Sequence, residues 1–181
     1  MRESRSRNHD KDERELDEEA EAPGDVIEML KTDHRQVQDL FTRFEDADKR
    51  TRSSIADEAL TALEVHAALE EELVYPAIAE VIDDEETINE AKEEHHVAKL
   101  LIKELRRMNA EDEGFSTKFK VLGELVGHHI EEEEGEVFPQ AQEGGFEPES
   151  ISEEVFKRKA KLMQKYEAGK KSSGSRRKKA A

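Results

Sequence analysis

Residues 63–78 read LEVHAALEEELVYPAI, and residues 128–139 read HHIEEEEGEVFP. Laid over one another, the two stretches share a spacing. Glu70, Tyr75 and Pro76 follow His66 at four, nine and ten residues; Glu133, Phe138 and Pro139 follow His129 at the same steps. A Val stands before each aromatic residue, Val74 and Val137, and each stretch carries a run of Glu. Residues four apart on an α-helix lie on one face, about a turn apart. Each stretch therefore predicts a helix that presents a His and a Glu side by side to one small volume.

Another pair of matching stretches stands ahead of these. LKTDHRQVQDLF covers residues 30–41, and EEHHVAKLLIKEL covers 93–105. Counting from His34, Val37, Leu40, Phe41 and Phe44 fall at three, six, seven and ten residues. Counting from His95, Ala98, Leu101, Ile102 and Leu105 fall at the same steps. Such steps mark the apolar face of a helix. An acid, Asp33 or Glu94, directly precedes each His. The chain thus reads as two copies of one helix pair. The first supplies His34, His66 and Glu70, and the second His95, His129 and Glu133.

Working outward, Asp25 precedes the periodic run that begins Val26, Met29, Leu30. A second run spans about Ile55 to Tyr75, and Pro76 is expected to end or kink it, because proline lacks the N–H and clashes with the preceding turn. A third spans about Glu85 to Asn109, a fourth Phe115 to Glu134, and a weaker fifth 150–167. No stretch alternates with period two. The fold class is all-α, and short polar links at 83–84 and 111–114 predict antiparallel neighbours. Residues 1–22 are almost all charged or small and are expected to be a disordered arm. Residues 168–181, AGKKSSGSRRKKAA, are expected to be a basic disordered tail.

Composition narrows the chemistry. The 181 residues include no Cys and no Trp, 41% are charged, and the formal net charge is −17. Without Cys there are no disulfides, thiolate nucleophiles or Cys-held metals, so any metal falls to His and carboxylates. The acidity argues against nucleic acid as a partner. No apolar h-region opens the chain and no apolar run nears the roughly 20 residues of a membrane helix. A soluble cytoplasmic protein with no membrane partner is expected.

Taken singly, each His is readable as a surface residue, and each His–Glu pair as an ordinary helical pair. The Glu runs at 70–72 and 131–134 read mostly as solvated faces. The joint pattern decides otherwise for the six repeated residues. Four imidazoles and two carboxylates facing one interior would be costly unless a cation satisfied them. Six N/O donors exceed what one tetrahedral zinc takes and suit two metals, with the carboxylates able to bridge. Donors without sulfur are compatible with iron, and less specifically with manganese or zinc. In the doublets His95-His96 and His128-His129 only one member of each can face inward. The repeat picks His95 and His129, and Glu133 over Glu132; His96, His128 and Glu132 are the fallbacks. Asp33 and Glu94 are placed to orient imidazoles on neighbouring helices, with a solvated acid as the plainer alternative. Tyr75 and Phe138 are expected to close the core.

The four pieces, in this order, resemble the hemerythrin-like HHE cation-binding family over residues 24–141. The resemblance implies an up-down-up-down four-helix bundle, set over 23–145; the weaker C-terminal helix read from the sequence pattern follows it, over 146–167. It implies a non-haem centre of two iron ions held by His34, His66, Glu70, His95, His129 and Glu133, the two carboxylates bridging. The function implied is binding or sensing of a small molecule: dioxygen, nitric oxide, peroxide or iron itself. It names neither a catalytic residue nor a protein partner. Oxygen carriers of the family have a fifth inward His, which is not evident here. That difference favours a more open iron and redox, peroxide, nitric oxide or iron-sensing chemistry. One alternative is a di-iron redox enzyme of ferritin-like or peroxide-consuming type. The ferritin-like class has Glu-x-x-His on two helices; Glu93 and His96 fit once, but Leu125 and Val126 fill the second set. Another alternative is a metal-free acidic helical adaptor for a basic partner. Relatives that repair iron–sulfur clusters carry Cys near the N-terminus, which this chain lacks.

Overall fold

The computed structural model describes the backbone of residues 24–82 and 85–179, and the side chains of 24–82 and 86–169. The arm expected over 1–22, the link at 83–84 and the tail side chains beyond 169 lie outside the described residues. Seven α-helical segments follow: α1 (Val26–Asp46), α2 (Lys49–Leu69), α3 (Tyr75–Ile78), α4 (Glu85–Leu105), α5 (Phe115–Glu132), α6 (Phe138–Glu143) and α7 (Glu149–Lys179).

Capping sets the first boundaries. The Asp25 carboxylate accepts from the amides of Ile27 and Glu28, at 2.7 and 3.3 Å. Asp48 accepts from the Thr51 amide at 2.8 Å and its hydroxyl at 2.7 Å. These bonds satisfy amides that the first turn leaves without helical partners. The Asp48 cap starts α2 at Lys49, ahead of the apolar period that begins at Ile55. At the other end α4 stops at Leu105, short of the expected Asn109.

The prolines do not break the ligand-bearing helices. α2 runs through a π turn, Glu70–Val74, into α3; α5 runs through a second π turn, Glu133–Val137, into α6. The Tyr75 amide bonds back to the Glu70 carbonyl, and the Phe138 amide to the Glu133 carbonyl, five residues earlier in each case. Pro76 and Pro139 then fall in the first turn of the next segment, where the missing N–H is tolerated. One extra residue per turn absorbs the conflict that a straight α-helix would have with the proline ring. The interruption expected at Pro76 is thus a widening rather than an end.

α1 packs on α2 and α5, and α4 on α5 and α2. Their interior divides into two apolar clusters. On α1, Val26, Ile27 and Leu30 join one and Val37, Leu40 and Phe44 the other, with His34 between. α2 runs the opposite way through Ile55, Ala59, Leu63, then His66, then Leu69. The second helix pair repeats the arrangement, with His95 and His129 at the seam. A polar layer therefore crosses the bundle between two apolar blocks.

α7 is the fifth helix of the bundle. It lies against α1, α2 and the first π turn, burying Val155 and Leu162. Arg158 donates to both oxygens of Glu72 at 2.6 and 2.8 Å, and Lys159 to both oxygens of Asp33 at 2.6 and 2.7 Å. The helix extends to Lys179, past the boundary expected at 167. It is reached through a tight turn. A Cβ on Gly144 would stand 2.2 Å from the Val81 carbonyl oxygen, and Gly145 takes a left-handed φ of 89°, a conformation open to glycine.

Candidate metal centre

Four of the five bundle helices each contribute one inward imidazole. His34 comes from α1, His66 from α2, His95 from α4 and His129 from α5, and all are buried. The doublets resolve by helical phase: His96 and His128 point to solvent. Glu93 is also exposed, so the Glu93/His96 pair lies on the outer face. Among the described residues no fifth His reaches the interior.

The imidazoles meet in two pairs, one from each copy of the repeat. Nε2 of His34 lies 3.0 Å from Nε2 of His66, and Nε2 of His95 lies 3.1 Å from that of His129. The carboxylates lie between the pairs. Glu70 comes within 2.9 Å of His66 Nε2 and 3.3 Å of His95 Nε2. Glu133 comes within 3.3 Å of His34 Nε2 and 3.7 Å of His129 Nε2. Each carboxylate, 0–1% exposed, thus reaches one His of each copy. Both π turns begin at these two residues.

The outward nitrogens also face carboxylates. His34 Nδ1 is 2.7 Å from Glu134, His95 Nδ1 3.1 Å from Glu71, and His129 Nδ1 2.8 Å from Glu94. His66 Nδ1 is 3.8 Å from Asp33. A carboxylate accepting from Nδ1–H leaves Nε2 as the free donor atom, the arrangement that metal-binding imidazoles use. Asp33 and Glu94 therefore face His residues of the neighbouring helices. Glu71 and Glu134 belong to runs expected from the sequence to be mostly solvated, but these two turn inward. They are half-buried and serve the His of the opposite copy. Their signal was present in the repeat: both stand five residues after the second His. Lys99 pairs with Glu71, and nothing in the sequence marked it or Lys159.

Two aromatic residues close the layer. The Tyr75 ring lies 5.6 Å from the His95 ring at 28°, and the Phe138 ring 6.2 Å from His34 at 5°. Both are fully buried, as core-closing residues should be. A cavity of about 230 Å³ opens onto the imidazoles, walled by residues such as Ala62, Leu63, Val126 and Ile130.

The electrostatics describe a site built for positive charge. Burial opposes ionisation of Glu70, yet His66 and His95 hold its carboxyl well below the usual range. Burial likewise opposes charging His66, but Glu70, aided by Asp33 and Glu133, lifts its pKa to about 10. His95 moves upward for the same reason, chiefly through Glu70 against the penalty of burial. Burial, with the Glu70 and Glu133 charges, pushes the Tyr75 hydroxyl well above its usual value. All four oxygens of Glu70 and Glu133 are buried without a hydrogen bond, despite their short distances to the imidazoles. Buried polar groups are seldom left so. A cation at the Nε2 atoms would satisfy them, so the donor set fits a metal. Two donor groups stand out: His34, His66, Glu70 and Glu133, and then Glu70, His95 and His129.

Comparison with known proteins agrees. The sequence profile of the hemerythrin HHE cation binding domain matches residues 25–141. The chain is 24% identical over 114 residues to a DNA nickase from Nostoc sp. (strain PCC 7120), spanning 62% of this chain but only 32% of that protein. Among solved structures, it is similar to a hemerythrin HHE cation binding domain-containing protein from Mycobacterium kansasii. The TM-score is 0.64 at 24% identity, covering 78% of this chain and 86% of the other. The repeated helix pairs, the buried His/Glu layer and the matched profile coincide, and the chain belongs to the hemerythrin HHE cation-binding domain family.

Proposed function

We propose that the protein holds two iron ions in this layer and binds or senses a small molecule there: dioxygen, nitric oxide, peroxide or iron itself. The observation that carries the reading is the pair of buried carboxylates without hydrogen bonds, Glu70 and Glu133, each set between imidazoles of both repeat copies. His34 and His66 would hold one metal, His95 and His129 the other, with Glu70 and Glu133 shared. When bound, such a pair of ions would supply redox capacity and a position for a small ligand.

The chain's own groups prepare that position. Glu134, Glu71 and Glu94 fix three of the imidazole rings from behind, and Asp33 faces the fourth at 3.8 Å. The two apolar blocks keep bulk water from the layer, and the apolar cavity gives a neutral molecule a path to it. Tyr75 keeps its proton at neutral pH, and its buried hydroxyl, which makes no hydrogen bond within the fold, is left available as a donor. The ferritin-like alternative loses support because Glu93 and His96 face solvent.

The test is metal content of the purified full-length chain, with absorption spectra before and after dithionite and then air. About two irons per chain, with absorption lost on reduction, is the expected result. A folded helical protein that takes up no metal after anaerobic ferrous loading would leave the acidic adaptor as the better reading.

A further inference from the structure

The apolar cavity is lined by both signs of charge: Lys99 and Lys159 stand there with Asp33, Glu58 and Glu94. A different opening reaches the centre from the α4–α5 side. It is a small pocket of about 50 Å³, with Glu90, Glu94, Glu132 and Glu136 in its walls and His129 and Glu133 also lining it. It has no Lys or Arg in its lining. Glu90 and Glu136 are exposed and Glu132 half-exposed, whereas Glu133 is 1% exposed with neither oxygen hydrogen-bonded. The pocket thus runs from an acidic rim to a buried carboxylate of the centre itself whose oxygens accept no hydrogen bond.

A set of donors lies at its edge. Glu94, His128 and Glu132 each offer one atom, and these lie within 4.8 Å of one another. Glu132 approaches His128 Nε2 at 3.0 Å. Glu94 faces both ways, since it also contacts His129 Nδ1 at 2.8 Å. The second π turn serves both ends of the path: its first residue is Glu133, and Glu136 within it contributes to the walls.

We infer that this pocket is the loading route for divalent cations, with Glu94, His128 and Glu132 as a transient outer site that passes the ion to Glu133. The inference rests on the proposed metal centre and adds a direction to it. Cations are admitted on the α4–α5 side, and neutral ligands through the apolar cavity. A cleft of one charge sign, walled by protein, concentrates counter-ions and raises association rates by about 10- to 1,000-fold. Oxygen donors with one imidazole suit ferrous iron or cobalt without the strength to retain it.

The test uses metal-free full-length protein and Co²⁺, with loading followed by stopped-flow absorbance and end points by elemental analysis. The triple variant E90Q/E132Q/E136Q neutralises the rim and leaves the six central residues alone. E111Q/E113Q/E124Q makes the same change of net charge away from this pocket, and H128Q removes the outer imidazole. The expected result is about tenfold slower loading in the rim variant, a smaller slowing in H128Q, and unchanged final stoichiometry in both. The control variant should load at the wild-type rate. Loading at the wild-type rate by the rim variant, or equal slowing of the control, would overturn the route. Should wild-type protein itself take up no Co²⁺, the metal centre fails and the route with it. Two ions in wild type with no kinetic defect in the variants overturns the route alone.

Discussion

Lys159 of the fifth helix donates to both oxygens of Asp33, at 2.6 and 2.7 Å, and Asp33 in turn stands 3.8 Å from Nδ1 of His66. The other three imidazoles lie 2.7–3.1 Å from their carboxylates. The His66 contact is the long one, and the carboxylate making it is the one held by α7. Docking of the last helix is thereby tied to the ring of a candidate ligand.

Lys159→Met should loosen α7 by about 0.5–1 kcal/mol, the usual worth of a partly exposed ion pair, and should leave metal bound. Asp33→Ala removes the carboxylate facing His66 Nδ1. It should lower metal affinity by about 10- to 100-fold, as losing such an orienting partner does. Chelator competition on the two variants separates the effects.

Glu70→Ala and Glu133→Ala should each reduce bound metal below the wild-type ratio. Each carboxylate serves both repeat copies, so neither loss is confined to one half of the layer. Helical circular dichroism should persist, because both apolar blocks remain. Elemental analysis of refolded protein checks this. Either variant keeping two tightly held metals would remove that Glu from the ligand set.

Stability of the metal-free protein should depend on pH in a predictable sense. A His in the unfolded chain titrates near 6.5, whereas His66 in the fold does so at about 10. Its contribution is complete below pH 6.5 and is lost as pH rises toward 10. Glu70, held low in the fold, contributes fully above the ordinary carboxyl value and loses that contribution as pH falls below it. Thermal melts should therefore peak between about pH 4.5 and 6.5. Metal displaces the same protons, so the loaded protein should lack the alkaline decline and gain on the metal-free form as pH rises. Parallel melts with and without Co²⁺ would show the divergence.

Gly144→Ala should destabilise the protein by about 1–3 kcal/mol. The added methyl would meet the Val81 carbonyl oxygen at 2.2 Å, and backbone cannot swing aside as a long side chain can. Thermal denaturation reads the change, and metal content should be unaffected because the turn lies outside the His/Glu layer.

Much of this was legible in the sequence because the chain states its pattern twice. One His with an apolar period after it is ambiguous; two with matching offsets fix both the helical phase and the inward member of each doublet. The π turns were not legible. An aromatic-Pro pair signals an interruption, but whether the helix ends or widens depends on what the neighbouring helices bury. Glu71 and Glu134 share an offset of five from the second His, but they stand in runs of like acids, and a one-residue bulge decides which of those face in. Lys159 lies in a helix outside the repeat, so no second copy pointed to it.

The equivalent placement of the two π turns has a consequence for how such a centre can arise. α1, α2 and the first π turn already contain one of each part: a first-helix His, a His–Glu pair, the widened turn and the acids behind the rings. The carboxylates and two of the ring-fixing acids act across copies rather than within one. Half the bundle would therefore make no complete site by itself, but two identical halves, paired about a two-fold axis, would make all of it. The single chain behaves as a fused symmetric dimer, and its departures from symmetry, Tyr75 against Phe138 and the helix that holds Asp33, mark where the two halves have been free to specialise.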